Sequence, residues 1–155
     1  MGAAEHDARV RDFFRQVWGD RDYAAADRLY ADTFSNPAAR GVSGAAAKTA
    51  FIRSYHQAFP DLTVTIEDLV ATDRVVAVRY VAAGTDLGGF NGKPPTGQRV
   101  TMWAVSFLNF DGDRVVSEWV GADYLGLFER LGTLTSPWAQ NSHPRPDDGE
   151  PATDR

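Results

Sequence analysis

The sequence predicts an α+β fold in which a curved, mainly antiparallel sheet wraps around N-terminal helices as a cone-shaped barrel. Three observations carry that expectation. Helical periodicity is confined to residues 5–59 and to one short segment near 125, four strand patterns follow between 62 and 120, and the connections among those strands are turns or a loop, with no crossover helix. Helices grouped before a meander argue against a parallel, doubly wound sheet. A sheet curved around helices encloses a cone, and a cone lined with Trp, Phe, Tyr and Met is a natural small-molecule pocket.

Taken in order, residues 5–18 place Val10, Phe13, Phe14 and Val17 at helical spacing, with Gly19 as the stop. Asp20 or Asp22 can cap a second helix whose face carries Tyr23, Ala26, Leu29 and Tyr30, ahead of the Ser35-Asn36-Pro37 break. A third helix starts at Ser43 or Gly44, repeats Ala47, Phe51, Tyr55 and Phe59, and ends near Pro60. Residues 62–69 alternate Leu62, Val64 and Ile66 with polar neighbours, and Thr72-Asp73-Arg74 turns them into the β-branched run 75–83. The loop 84–97 holds two prolines and five glycines. Residues 99–110 place Trp103 and Phe107 on one strand face and Met102 and Leu108 on the other, which predicts cover on both faces. Asp111-Gly112-Asp113 leads into the strand 115–120, and Leu125, Leu127, Phe128 and Leu131 form a closing helix. This gives one domain over 1–132 and a polar, proline-rich tail over 133–155, expected to be flexible, with Trp138 as its one feature suited to docking.

Composition narrows the partners. A net charge of -5 gives no general attraction to nucleic acid or to an anionic membrane. The chain has no cysteine, which excludes disulfides, thiolate nucleophiles and cysteine-ligated metals, and makes the cytoplasm the default expectation. The first residues carry charges where a signal peptide needs an apolar run, and no apolar run reaches membrane-spanning length, so a soluble protein is expected. His6, His56 and His143 make no metal-ligand spacing. Gly88, Gly89 and Gly92 lead into prolines rather than a phosphate-binding helix, and the segment around Gly41 and Gly44 lacks the spacing of a nucleophile elbow.

The candidate chemistry centres on Asp123, an isolated carboxylate among Trp119, Gly121, Ala122, Tyr124 and Leu125. Two readings that do not exclude each other apply: the N-cap of the last helix, without a capping box because Gly126 holds the third position, and a buried acid/base suited to proton transfer. Asp86 caps a turn or enters a pocket, and Asn36 before Pro37 is a turn residue in its simplest reading. Glu118 alternates with Trp119, so it is expected on the other face, solvated or at an interface. Tyr55, Phe59, Trp103, Phe107 and Trp119, with Phe90 from the loop, are candidates for core or pocket lining. His56 reads as a surface or core histidine rather than a base.

Pro60-Asp61-Leu62, Gly84-Thr85-Asp86 followed by GxFxGxPPTGxxV to Val100, the DG turn, EWxxxD from Glu118 to Asp123 and the helix ending in Leu131-Gly132 resemble the SnoaL-like polyketide cyclases over about residues 8–132. That family lies within the nuclear-transport-factor-2-like superfamily of cone-shaped α+β barrels. The resemblance implies a homodimer, a buried pocket for a small apolar or polyketide-like substrate, no cofactor, and intramolecular aldol closure in natural-product biosynthesis. It carries the acid/base role to Asp123 and a substrate-orienting role to Asn36. Many relatives have histidine where this chain has Asp86 and Glu118, so no imidazole role carries over to either. Asp86 is then a second carboxylate, and paired with Asp123 it would suit an epoxide hydrolase or an epoxide-opening, ether-forming cyclase. A non-catalytic, dimeric binding module is the alternative from outside enzymology.

Overall fold

The computed structural model describes residues 1–37 and 42–134, so the expectation for the tail beyond 134, including Trp138, lies outside the described residues. Helix α1 (Ala3–Phe13) passes into a π-helical turn over Phe14–Gly19, where the Asp20 N–H donates to the Arg15 carbonyl at 2.9 Å. Widening the turn lets Phe13, Phe14, Val17 and Trp18 all enter the core. Helix α2 (Ala24–Leu29) is shorter than its periodicity suggests. Tyr30 leaves the expected helical face and begins a strand, β1 (Tyr30–Ser35). Tyr30 and Phe34 are both buried and four residues apart, a spacing that fits a helix and a strand equally well.

Helix α3 (Ala45–Ala58) follows, then the meander β2 (Thr63–Ala71), β3 (Val75–Thr85), β4 (Arg99–Asp111) and β5 (Arg114–Ala122), and finally α4 (Tyr124–Arg130). β1 pairs parallel with β5, and every other pairing is antiparallel, giving the sheet order β1-β5-β4-β3-β2. The mixed α+β architecture with N-terminal helices is as expected. The sheet has five strands rather than four, and its two edges stay apart as a curved, unclosed layer. Register shifts at Ile66/Asp68 in β2 and Asn109/Phe110 against β5 insert extra residues, which bend and twist the strands.

The core lies between the concave face and the helices. Val100, Met102, Ala104, Ser106, Leu108 and Phe110 alternate inward along β4 and are buried. His6 of α1 stacks on Phe110 at 4.0 Å, and its two ring nitrogens lie 3.1 Å from the Thr72 carbonyl and 2.9 Å from the Gly112 carbonyl. One buried side chain thus ties the first helix to both hairpin turns. None of the described helices is long and apolar enough to cross a membrane.

Candidate functional site

The open end of the cone is closed by the loop between β3 and β4, and several sequence motifs prove to be its fastenings. The Asp61 carboxylate accepts from the Thr85 N–H at 2.6 Å and the Thr85 hydroxyl at 2.8 Å, and these bonds hold its carboxyl below the usual carboxylate range. Leu87 and Gly88 both donate to the Ala58 carbonyl at the end of α3. A Cβ on Gly88 would lie 1.9 Å from the Gln57 carbonyl oxygen, so only glycine permits this approach. Asp86 is fully buried. One of its oxygens accepts from the Gly89 N–H at 3.0 Å, the other from the Thr96 N–H at 3.0 Å and the Thr96 hydroxyl at 2.9 Å. Its lone pairs are spent on staples within the loop.

The loop thereby seats Phe90. Its ring lies 5.3 Å from Tyr55 and 5.6 Å from Phe59 on one side, and 6.1 Å from Phe128 of α4 on the other. Outside Phe90 is a cleft of about 380 Å³ between loop and α4, lined by Asp86, Phe90, Lys93, Phe128 and Leu131 among others. Inside the cone is a smaller cavity of about 30 Å³, room for a single water. Trp18, Phe51, Met102, Ala104, Val120 and Ala122 form its apolar wall, and Lys48, Tyr55, Tyr80 and Tyr124 bring its polar atoms. Phe90 stands between a residue lining the inner cavity and a residue lining the outer cleft.

The charge of this interior comes from a pair that the sequence reading missed. Lys48 on α3 and Glu118 on β5 are 4% and 3% exposed, and Nζ donates to Oε2 at 2.6 Å. The Tyr30 hydroxyl donates to the same carboxylate oxygen at 3.2 Å, and Nζ lies 5.3 Å from the Tyr30 ring centroid and 5.6 Å from that of Phe51. Glu118 is therefore neither solvated nor at an interface. Alternation correctly separates it from Trp119, but the inward face of β5 is the one carrying Glu118, Val120 and Ala122. Lys48 was legible in principle, because Lys48, Ile52, Tyr55 and Phe59 follow the helical spacing of a buried face.

Burial raises the hydroxyls of Tyr30, Tyr55 and Tyr80 well above the ordinary phenol range; the Glu118 carboxylate adds to this at Tyr30 and Tyr80, and Tyr124 adds to it at Tyr55. All three stay protonated near neutrality and act as donors. Tyr80 and Ser106 approach to 3.3 Å across the concave face.

The predicted site residues separate. Asp123 is the N-cap of α4: its Oδ1 accepts from the Gly126 N–H at 2.9 Å, its Oδ2 lies 3.7 Å from Arg130, and its side chain is 24% exposed. It lines neither cavity, although its neighbours Ala122 and Tyr124 line the inner one. Asn36 sits in the turn after β1, where its N–H donates to the Val42 carbonyl at 3.2 Å, outside both linings. Asp86 lines the outer cleft, and among the described residues neither Asp123 nor Asn36 lines that cleft or the inner cavity. Tyr55 faces the inner cavity, Phe90 the outer cleft, and Phe59 packs behind Phe90.

Trp103, Phe107 and Trp119 are 52%, 48% and 54% exposed on the convex face of the sheet. The expectation that they are core or line a pocket is corrected, and in the single chain the convex face of β4 is uncovered. Burial is the commonest fate of bulky aromatics, whereas alternation here places them opposite the buried Met102, Ala104 and Leu108. His56, by contrast, is buried between the Tyr23 hydroxyl and the Trp18 carbonyl.

Residues 8–131 match the family model of the SnoaL-like polyketide cyclases. Among solved structures, the chain is similar to TsrD from Streptomyces laurentii, with a TM-score of 0.78 and 23% identity over 84% of this chain and 97% of that one. AclR from Streptomyces galilaeus, a proposed hydroxylase, gives a TM-score of 0.76 and 27% identity over 86% of this chain and 89% of its own. IdmH from Streptomyces antibioticus, a proposed polyketide cyclase, gives 0.70 and 23% over 82% and 98%. No curated protein matches the chain.

Proposed function

The chain belongs to the SnoaL-like polyketide cyclase family, and from that premise we propose that it closes a ring in a polyketide-like substrate by aldol-type chemistry inside the cone. One observation carries the reading: the cone interior is an aromatic enclosure whose polar atoms are protonated phenols and a buried ion pair. Phenol hydroxyls held above their ordinary range donate hydrogen bonds to the oxygens of a 1,3-dicarbonyl segment and stabilise the enolate that forms when a flanked C–H is lost. The walls fold the chain so that the enolate carbon faces its electrophile, which contributes several kcal/mol by positioning. Because the empty interior is small, substrate enters from the outer cleft by displacing Phe90. The proton leaves the flanked carbon for Asp123, whose neighbours Ala122 and Tyr124 line the inner cavity, and returns from it to the alkoxide of the closed ring; accepting from the Gly126 N–H through Oδ1 leaves Oδ2 for this exchange.

The test is incubation with a panel of linear and partly cyclised poly-β-ketones, read by liquid chromatography and mass spectrometry. Ring closure gives an isomer of unchanged mass, or that mass less water, and Ala104→Phe, which fills the interior, abolishes it. Conversion unaffected by filling would place the chemistry elsewhere. The likeness to AclR supports hydroxylation as a second reading, and the same assay separates it by a product heavier by one oxygen. The epoxide reading is the weaker, since both oxygens of Asp86 accept hydrogen bonds within the loop and Asp86 lines the outer cleft rather than the inner cavity. Unaltered ligand retained on the protein would favour the binding module.

The convex aromatics support a homodimer. Phe107 and Trp119 are directly paired across β4 and β5, with Trp103 further along β4, and three large rings about half exposed form an apolar surface suited to a second copy.

A further inference from the structure

This inference rests on the aldol reading above and concerns the negative charge which that reading creates. Once Asp123 holds the proton, the electron pair left behind is carried largely by a carbonyl oxygen, inside an enclosure from which water is excluded. We propose that the Lys48 ammonium is the oxyanion-holding catalytic residue of the inner cavity, and that Glu118 and Tyr30 position it.

The geometry turns the positive end of a buried pair toward that cavity. Lys48 lines it from α3 with a side chain almost fully removed from water, whereas Glu118, its partner on β5, is not part of the lining. Nζ donates to Glu118 Oε2 at 2.6 Å, and the Tyr30 hydroxyl ties down the same oxygen at 3.2 Å. An ammonium has three N–H groups. Among the described residues Glu118 is the acceptor that Nζ meets, so donors remain for an oxygen entering the cavity. The rings of Tyr30 and Phe51 flank Nζ with faces that attract a cation.

Stability alone does not account for the pair, because a buried ion pair is commonly replaced by apolar residues of similar size at no loss of stability. A fixed charge in an apolar enclosure acts more strongly on a developing oxyanion than it does in water, and a charged donor binds it more strongly than the neutral phenols of Tyr55 and Tyr80 on the same wall. Ala122 and Tyr124, the neighbours of Asp123, line the same volume, which brings the acid and the ammonium to one substrate.

In the step itself the flanked C–H proton passes to Asp123, and the C–H electron pair becomes the enolate, its oxygen held by Nζ. The enolate carbon attacks a second carbonyl carbon of the same molecule. The C–C bond forms as that carbonyl's π pair moves to its oxygen, and the first oxygen becomes a carbonyl again. Asp123 returns its proton to the new alkoxide. Lys48 neither gives nor takes a proton, and no oxidant or reductant is consumed.

The probe is 4-nitrophenol, whose phenolate is a stable oxyanion and absorbs at longer wavelength than the phenol. Spectra at one pH near neutrality, with protein in excess, are expected to show the bound probe about tenfold richer in phenolate than the probe in buffer. Ala104→Phe, which fills the interior, is expected to remove the enrichment. Lys48→Met with Glu118→Gln, a double variant that leaves neither charge of the pair, is expected to fold with a cooperative urea transition and to lose the enrichment. Its kcat for ring closure of the poly-β-ketones is expected to fall by about tenfold or more with KM little changed, because the interaction strengthens as charge develops. A merely structural role would not move the ionisation of a bound phenol. Enrichment undiminished in the folded double variant, or surviving Ala104→Phe, overturns the assignment, and so does a loss confined to KM, which marks binding of an anion already present in the substrate. No enrichment in the unmodified chain overturns it without recourse to any variant; if ring closure still proceeds, the aldol reading stands without Lys48. Enrichment that depends on Lys48 in a chain that closes no ring leaves the oxyanion site standing and the aldol reading fallen.

Discussion

On the concave side of β4 and β5, Ser106, Glu118 and the small residues Ala104 and Ala122 face a lysine and a set of phenols; on the convex side, the same strands present Trp103, Phe107 and Trp119 to solvent. Around Glu118 the distribution is the reverse of what hydropathy alone would arrange, while Val100, Met102, Leu108 and Phe110 keep the rest of the concave face apolar. Charge inside is kept dry and paired, which is how side chains with chemistry to perform are held. Aromatic surface outside is left uncovered in the single chain, which is how surfaces awaiting a partner look. One strand pair thus serves two purposes on alternate residues, and each face can be perturbed without the other.

The largest effect belongs to the concave side. Lys48→Met alone strands the Glu118 carboxylate, which among the described residues then keeps the Tyr30 hydroxyl as its side-chain partner, and the expected loss is about 3–5 kcal/mol in urea unfolding. Adding Glu118→Leu to Lys48→Met is expected to recover most of that loss, because no charge is then left buried. Should the single and double variants be equally unstable, packing rather than charge governs the interior.

Much of this contrast was within reach of the sequence, and its sign was not. Period-2 alternation correctly set Glu118 opposite Trp119 and Met102 opposite Trp103, since a strand fixes which residues share a face. It does not say which face turns inward: the rings expected inside stand on the convex face, and Glu118, expected solvated or at an interface, is buried. The helices and the meander were legible because their signals are local. β1 was not, because a six-residue strand with Tyr30 and Phe34 at helical spacing becomes a strand only through β5, 85 residues along the chain at the Tyr30 and Val115 pair. The motifs in the loop were legible as a pattern, and their physical content is Asp61 on Thr85 and Asp86 on Thr96.

On the convex side, Trp119→Lys is expected to weaken self-association by about tenfold or more, as loss of a central aromatic anchor does, and to cost the single chain about 1 kcal/mol or less. Sedimentation velocity over a concentration series measures the first and urea unfolding the second. A substitution that unfolds the chain without altering association would make these rings ordinary core.

At the junction of the two faces, Asp123→Ala removes the carboxylate that accepts from Gly126 and is expected to cost about 1 kcal/mol and to abolish ring closure of the poly-β-ketones. Undiminished ring closure at that cost in stability would leave Asp123 a cap alone.

The smallest effect distinguishes the faces by pH. His56 Nε2 lies 3.1 Å from the Trp18 carbonyl, so it carries the N–H, and Nδ1 accepts from the Tyr23 hydroxyl at 2.9 Å. Burial lowers the pKa of this ring from its ordinary 6.5; the Trp18 carbonyl opposes that shift and the Arg21 charge reinforces it. The unfolded chain therefore binds the proton at a pH where the folded chain does not. Stability from His56 is complete above 6.5 and declines as pH falls through and below that value, because protonation costs Tyr23 its acceptor. Asp61, whose folded carboxyl is also held low, adds an acid loss in a lower range. His56→Gln isolates the histidine: its urea midpoint is expected to change less than that of the unmodified chain between about pH 7 and 5, while Trp119→Lys leaves the slope as it was. Equal slopes in all three proteins would show that His56 is neutral in the folded and unfolded chain over the same range, and that its burial between α3 and the π turn carries no linkage to pH.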